Sequence, residues 1–156
     1  MEALILLARH GQAKPKEEDP QRGLTAAGRS EAARVARVLR YVFPRPDAIW
    51  HSGKLRAEQT ARILARAMGA EGRLQARTGL DPDDPASVCA AELRAYQGNL
   101  VVVGHLPHLH RLSSLLLLGR ETPELFQLPA AGAACLEREL DQWRVRWLLT
   151  PEICFR

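Results

Sequence analysis

Three short clusters in this chain carry residue types that could do chemistry together. Arg9-His10-Gly11 closes an apolar run at the N-terminus, His51-Ser52-Gly53 leads into Arg56, and Gly104-His105 follows a β-branched run. An imidazole can attack phosphorus as a nucleophile. Guanidiniums grip phosphoryl oxygens by planar, charge-assisted hydrogen bonds. A second imidazole, if protonated, neutralises the charge that builds on those oxygens. The chemistry this set suits is phosphoryl transfer, with His10 as nucleophile and Arg9, Arg56 and His105 around the phosphoryl group. The constellation offers no carboxylate cluster or histidine set at metal-ligand spacing, so the expected site holds neither metal nor cofactor.

Those clusters can meet only if the elements before them end at one edge. Leu4–Ala8 is a continuous apolar run that reads as a buried strand. The stretch from Gln12 to Gly23 is polar and reads as a loop long enough to have a function. Thr25 reads as an N-cap, and Ala32, Val35, Ala36, Leu39, Val42 and Phe43 follow at helical spacing until Pro44 and Pro46 stop the helix. Asp47–His51 reads as a second strand, Ala57–Met68 as a second helix and Arg73–Arg77 as a short strand. The region from Thr78 to Pro85 reads as loop and Ala86–Tyr96 as helix. Leu100–Val103 reads as a central parallel strand, followed by a helix with Pro107 in its first turn. Ala133–Leu149 predicts two more strands joined near Asp141. The alternation implies an α/β sandwich: a mostly parallel sheet with helices on both faces, in one domain spanning residues 1–156. In such sheets ligands bind outside the carboxyl ends of the strands, which is where all three clusters would lie.

Composition narrows the class further. Hydrophobic residues are 46% of the chain and charged residues 26%, which excludes disorder as a description of the whole. The net charge of +4 suits an anionic partner, but aromatics are only 5% and no basic block interleaves with them, so nucleic acid is not the expected partner. Arg29, Arg34, Arg37 and Arg40 read as a solvated helix face. Cys89, Cys135 and Cys154 are few and widely spaced and read as reduced, partly buried thiols. The N-terminal apolar run is short and carries Glu2, and Leu115–Leu118 is too short to span a bilayer, so a cytoplasmic protein without membrane association is expected.

The segment Leu-Leu-Ala-Arg9-His10-Gly11 resembles the signature of the histidine phosphatase superfamily, which has the phosphoglycerate-mutase-like fold. Arg56-Ala57-Glu58-Gln59-Thr60-Ala61 resembles its second arginine motif, and Gly104-His105 its late histidine. The motifs occur in order over nearly the whole chain. Chain length and the stretch Asp19-Pro-Gln-Arg22-Gly-Leu24-Thr25-Ala-Ala-Gly28 resemble the short SixA-type phosphohistidine phosphatases. The resemblance implies that Arg22 is a further phosphate contact beside Arg9, His10, Arg56 and His105. It also implies phosphohistidine on a signalling protein as substrate.

The chain departs from the superfamily pattern at two points. Ser-Pro before the second arginine motif is here Ser52-Gly53. The Glu that serves many members as proton donor falls on Pro82, within Gly79-Leu80-Asp81-Pro82-Asp83, leaving Asp81 or Asp19 as substitutes. An alkoxide leaving group needs a proton in the transition state, whereas an imidazole, with a conjugate-acid pKa of about 6.5, needs it far less. A missing donor thus favours a phosphorylated protein carrying phosphohistidine over a small phosphomonoester. A non-catalytic phosphate-binding module and a basic nucleic-acid binder remain as rival readings. His51, His108 and His110 read as turn, helix-start and rim residues, and Asp19 and Asp81 as solvated loop carboxylates.

Overall fold

The computed structural model describes residues 2–155. Its first strand, β1 (Glu2–Arg9), is buried along Ile5–Ala8, as a continuous apolar run requires when both faces of a sheet are covered. The helix α1 (Ala26–Val42) starts where the Thr25 side chain accepts from the Gly28 N–H, and it ends at Phe43, one residue before Pro44. Then come β2 (Ala48–His51), α2 (Leu55–Ala67), β3 (Leu74–Ala76), α3 (Ala86–Ala95), β4 (Leu100–Gly104) and α4 (His108–Leu118). Gly119 closes α4 in the left-handed conformation. The chain finishes with the hairpin β5 (Ala133–Glu139) and β6 (Gln142–Leu149) and a single 3-10 turn at Pro151–Ile153.

The six strands form one sheet in the order β3-β2-β4-β1-β5-β6. β3, β2, β4 and β1 run parallel, and β5 and β6 extend the β1 side antiparallel. Leu39, Leu64, Ala61 and Val35 of α1 and α2 pack with Leu6, Ile49, Val101 and Val103 on one face. Leu93, Leu109, Leu112 and Leu116 of α3 and α4 pack with Ile5, Leu7, Leu100 and Val102 on the other. Neighbouring residues of one strand thus feed opposite cores, the period of two that a three-layer sandwich needs. The three cysteines are buried and unpaired.

Helix α2 begins at Leu55, two residues earlier than the apolar periodicity predicts. The reason is local: Leu55 and Arg56 belong to the first turn, whose free N–H groups need no apolar side chain. Arg56 therefore stands in the first turn of α2, at the start of the helix as expected.

One glycine decides how closely α1 approaches β1. A Cβ on Gly28 would lie 2.2 Å from the Gln12 carbonyl oxygen, and Gln12 follows the Arg9-His10-Gly11 cluster directly. Helix propensity alone makes Gly→Ala favourable by about 1 kcal/mol. The clash outweighs it, so Gly28→Ala is expected to destabilise the fold by about 1–3 kcal/mol. Gly72→Ala, where a Cβ meets open space, is expected to change the urea midpoint little; chemical denaturation of both variants checks the contrast.

Candidate active site

Strand order brings the three clusters together. β4 lies between β1 and β2, with Arg9 opposite Gly104 and His51 opposite Val103. The residues after each strand therefore leave the sheet side by side. His10 N–H donates to the Gly104 carbonyl at 3.1 Å, and the rings of His10 and His105 stand 5.1 Å apart at 54°.

The backbone around His10 is tied on every side. The Ala131 N–H donates to the His10 carbonyl, and the Gly11 N–H donates to the buried Thr60 Oγ1 at 2.9 Å. Thr60 in turn donates to the Arg56 carbonyl, which links the first cluster to the first turn of α2. His10 Nδ1 lies 2.7 Å from the Gly11 carbonyl oxygen. A carbonyl only accepts, so Nδ1 carries the proton and Nε2 presents a lone pair. Burial, with the positive fields of Arg56, Arg9 and Arg22 also acting, lowers the His10 pKa to about 4, against the pull of its bond to Gly11. The ring is neutral at physiological pH, as a nucleophile must be.

His105 is buried, and its Nε2 shares a 2.7 Å hydrogen bond with Ser52 Oγ, while that oxygen accepts from the Lys54 N–H. Burial first, then the fields of His10, Arg56 and Lys54, lower its pKa to about 3. The second imidazole is thus neutral in the ligand-free protein. An anion between the two rings would oppose those fields and draw a proton onto it.

The arginines complete the ring of donors. Arg9 Nη1 donates to the Leu128 carbonyl at 2.9 Å, which aims its guanidinium, while its Nε and that of Arg56 are buried without a protein partner. Burial lowers the pKa of both. Arg22 adopts φ +53° in the loop before α1, and its Nε donates to the Lys14 carbonyl. Arg22 and Arg56 line a cleft of about 580 Å³ with Lys16 and Lys54. The five residues that sequence reasoning named, Arg9, His10, Arg22, Arg56 and His105, thus stand in one region of strand ends and flanking turns.

Other expectations are refined. The Asp19 carboxylate accepts from the Gln21 and Gly23 N–H groups, bonds that hold its pKa below the usual value. These bonds brace the turn that carries Arg22. Asp81 is exposed, within the field of Arg56. A Cβ added at Gly104 would lie 3.3 Å from the Leu109 side chain, so the glycine leaves room for that residue of α4. His51 Nδ1 accepts from the Gly53 N–H, and His110 joins Glu124 and the Leu128 N–H, so both are structural braces. His108 begins α4 and is fully buried. Sequence reasoning missed the work of Ser52 and Thr60. The available signal was a hydroxyl at a strand end and another at the fourth residue after Arg56, on an otherwise apolar helix face.

A model of the histidine phosphatase superfamily, branch 1, matches residues 5–81, which include the first two clusters and Arg22. The chain belongs to the histidine phosphatase superfamily. Its fold is phosphoglycerate-mutase-like. The structure of the protein histidine phosphatase SixA complexed with tungstate is similar at TM-score 0.84 and 23% identity, with 95% of this chain and 97% of that chain covered. SixA from Agrobacterium tumefaciens is similar at TM-score 0.76 and 25% identity, with the same coverage of 95% and 97%. A mycobacterial glucosyl-3-phosphoglycerate phosphatase is similar at TM-score 0.72 and 20% identity, covering 94% of this chain and 98% of that one. No protein of curated function shows significant sequence similarity to the chain. Among the described residues, no helix is long and apolar enough to cross a membrane.

The two imidazoles set a pH dependence of stability. Both rings bind protons less readily folded than unfolded, since their folded pKa values of about 4 and about 3 lie below 6.5. The unfolded chain therefore takes up more protons as pH falls below 6.5, and the fold loses stability there. The loss is up to about 1.4 kcal/mol per pH unit for each ring. Urea unfolding at pH 7 and pH 5 is expected to show it, and His10→Ala is expected to flatten the slope by the share of one ring.

Proposed function

We propose that this member of the superfamily is a phosphohistidine phosphatase acting on a phosphorylated protein. The observation that carries the reading is the neutral His10 ring, its Nδ1–H held by Gly11 and its Nε2 lone pair free beside His105. A module that only bound phosphate would have no need of a nucleophile fixed in that tautomer.

In the first step His10 Nε2 attacks phosphorus in line, and the P–N bond to the substrate imidazole breaks. Arg9, Arg22 and Arg56 hold the phosphoryl oxygens, and His105 takes a proton from solvent as the anion enters and returns it to solvent when phosphate leaves. The substrate ring, protonated on its other nitrogen, departs as neutral imidazole. His10 keeps its Nδ1 proton on the Gly11 carbonyl, so its phosphorylated ring is a phosphoimidazolium. Water then attacks phosphorus, and His10 leaves as neutral imidazole with phosphate as product. Neither departure requires a carboxylic acid.

That last point selects the substrate. An alkyl phosphate expels an alkoxide, for which general acid catalysis supplies about 10²–10⁴-fold. Asp19 is committed to its turn, and the residue aligned with the superfamily's Glu is Pro82. A small phosphomonoester is the second reading, favoured by one observation: the exposed Asp81 carboxylate stands near Arg56 and is the candidate for a proton donor there. The buried, unpaired thiols suit work in the cytoplasm, where disulfides seldom form.

Wild-type protein is expected to hydrolyse a phosphohistidyl peptide at least about 100-fold more efficiently than an alkyl phosphate, by kcat/KM. A preference for the ester would overturn the substrate reading. Brief reaction is expected to leave acid-labile, alkali-stable phosphate on His10, and His10→Ala to abolish turnover. Ser52→Ala, which frees the His105 ring, is expected to lower kcat about tenfold or more while phosphate release still passes through His10; quenched-flow measurement of the phosphoenzyme checks it.

A further inference from the structure

The positive charge of this chain is not confined to the site. A groove of about 700 Å³ lies between α1 and α2, on the side of the helices turned away from the sheet. Its floor is apolar, made by Ala33 and Ala36 of α1 and Ile63 and Ala67 of α2. Its rims carry Arg29 and Arg37 on one side and Arg62 and Arg66 on the other. Each helix contributes at spacings of three, four and seven residues, so the lining is a continuous stripe over about two turns, about 12 Å long. Among the described residues, no carboxylate lines the groove. Glu58, next to Gln59 in the chain, is bonded to Arg62.

The groove also adjoins the active site. Gln59 lines it, and the Gln59 Oε1 accepts from the Leu24 N–H at 2.8 Å, two residues after Arg22. Glu58, one residue earlier, lines the cationic cleft with Arg22 and Arg56. An object seated along the groove would end beside the phosphoryl-binding arginines.

We propose that this groove docks an acidic amphipathic helix of the partner protein, and so selects which phosphorylated protein reaches His10. This rests on the phosphatase reading above and names the kind of partner it implies. Charge complementarity assigns the occupant: four arginines around a small apolar floor match a helix with an aliphatic stripe flanked by Asp or Glu. A second copy of the same face would bring arginines against arginines. Nucleic acid would leave the apolar floor unused and would find no aromatic in the groove to stack on.

The test uses a fluorescent peptide with leucine at helical spacing flanked by glutamate, the same peptide with lysine for glutamate, and a phosphoramidate as small substrate. The glutamate peptide is expected to bind wild-type protein, with affinity falling as salt rises, and the lysine peptide not to bind. Arg37 and Arg66 are exposed. Arg37→Glu/Arg66→Glu is expected to weaken the glutamate peptide about tenfold or more while leaving phosphoramidate turnover within about twofold. Arg37→Gln/Arg66→Gln is expected to fall between, and thermal melts of both variants report folding. Equal peptide binding by folded variants would overturn docking. So would tighter, equally arginine-dependent binding of single-stranded RNA or of anionic vesicles. Absence of phosphoramidate turnover in the wild type would instead sink the phosphatase reading, with peptide binding still deciding the groove.

Discussion

The arrangement of this protein depends on one register: β1 beside β4 with Arg9 opposite Gly104. Both strands are parallel, so both leave the sheet at the same edge, and the next residue of each is a histidine. The His10 N–H to Gly104 carbonyl bond continues the ladder one step past the strand and locks the two rings at 5.1 Å. A shift of one residue would turn His10 to the opposite face, because strand side chains alternate. The buried run Leu100–Val103, packed on both faces, makes such a shift costly.

The register collects like charges, and the fold must tolerate them. The positive fields of Arg9, Arg22 and Arg56 reach His10, that of Arg56 also reaches His105, and partial burial lowers the pKa of Arg9 and Arg56. The histidines respond by staying neutral. The carbonyls of Leu128 and Lys14 hold the guanidiniums of Arg9 and Arg22 at their edges. Such a pocket stores electrostatic work that an incoming phosphoryl group recovers, since it brings the negative charge the pocket lacks. The same logic extends outward: Lys16 and Lys54 widen the positive field at the cleft, and the α1–α2 groove carries it onto the helical face.

Much of the fold was legible because its elements are strongly patterned. Continuous apolar runs marked β1 and β4, and Thr25 with the stripe behind it marked α1. Boundaries slipped where pattern is weak, as at Leu55 and Arg56, whose place in α2 depends on backbone geometry and not on burial. Among site residues, those with charged or titratable ends stood out, because their chemistry is written in their type. Ser52 and Thr60 did not. A hydroxyl acquires a role only from what lies 2.7 to 2.9 Å away, and their partners lie 53 and 49 residues distant in the chain. Asp19 shows the converse: as a carboxylate it invited a chemical role, and its two bonds to neighbouring N–H groups gave it a structural one.

The order and type of residues by themselves determined an α/β sandwich and which side chains could move a phosphoryl group. Apolar periodicity and the pairing of imidazole with guanidinium are properties a linear chain displays. Tertiary structure alone decided that His10 is the neutral tautomer with Nε2 free, that Arg9 is aimed by Leu128, and that the arginines of α1 and α2 rim a common groove. Those facts follow from distances between segments remote in sequence, and from the loss of water around them, neither of which a list of residues contains.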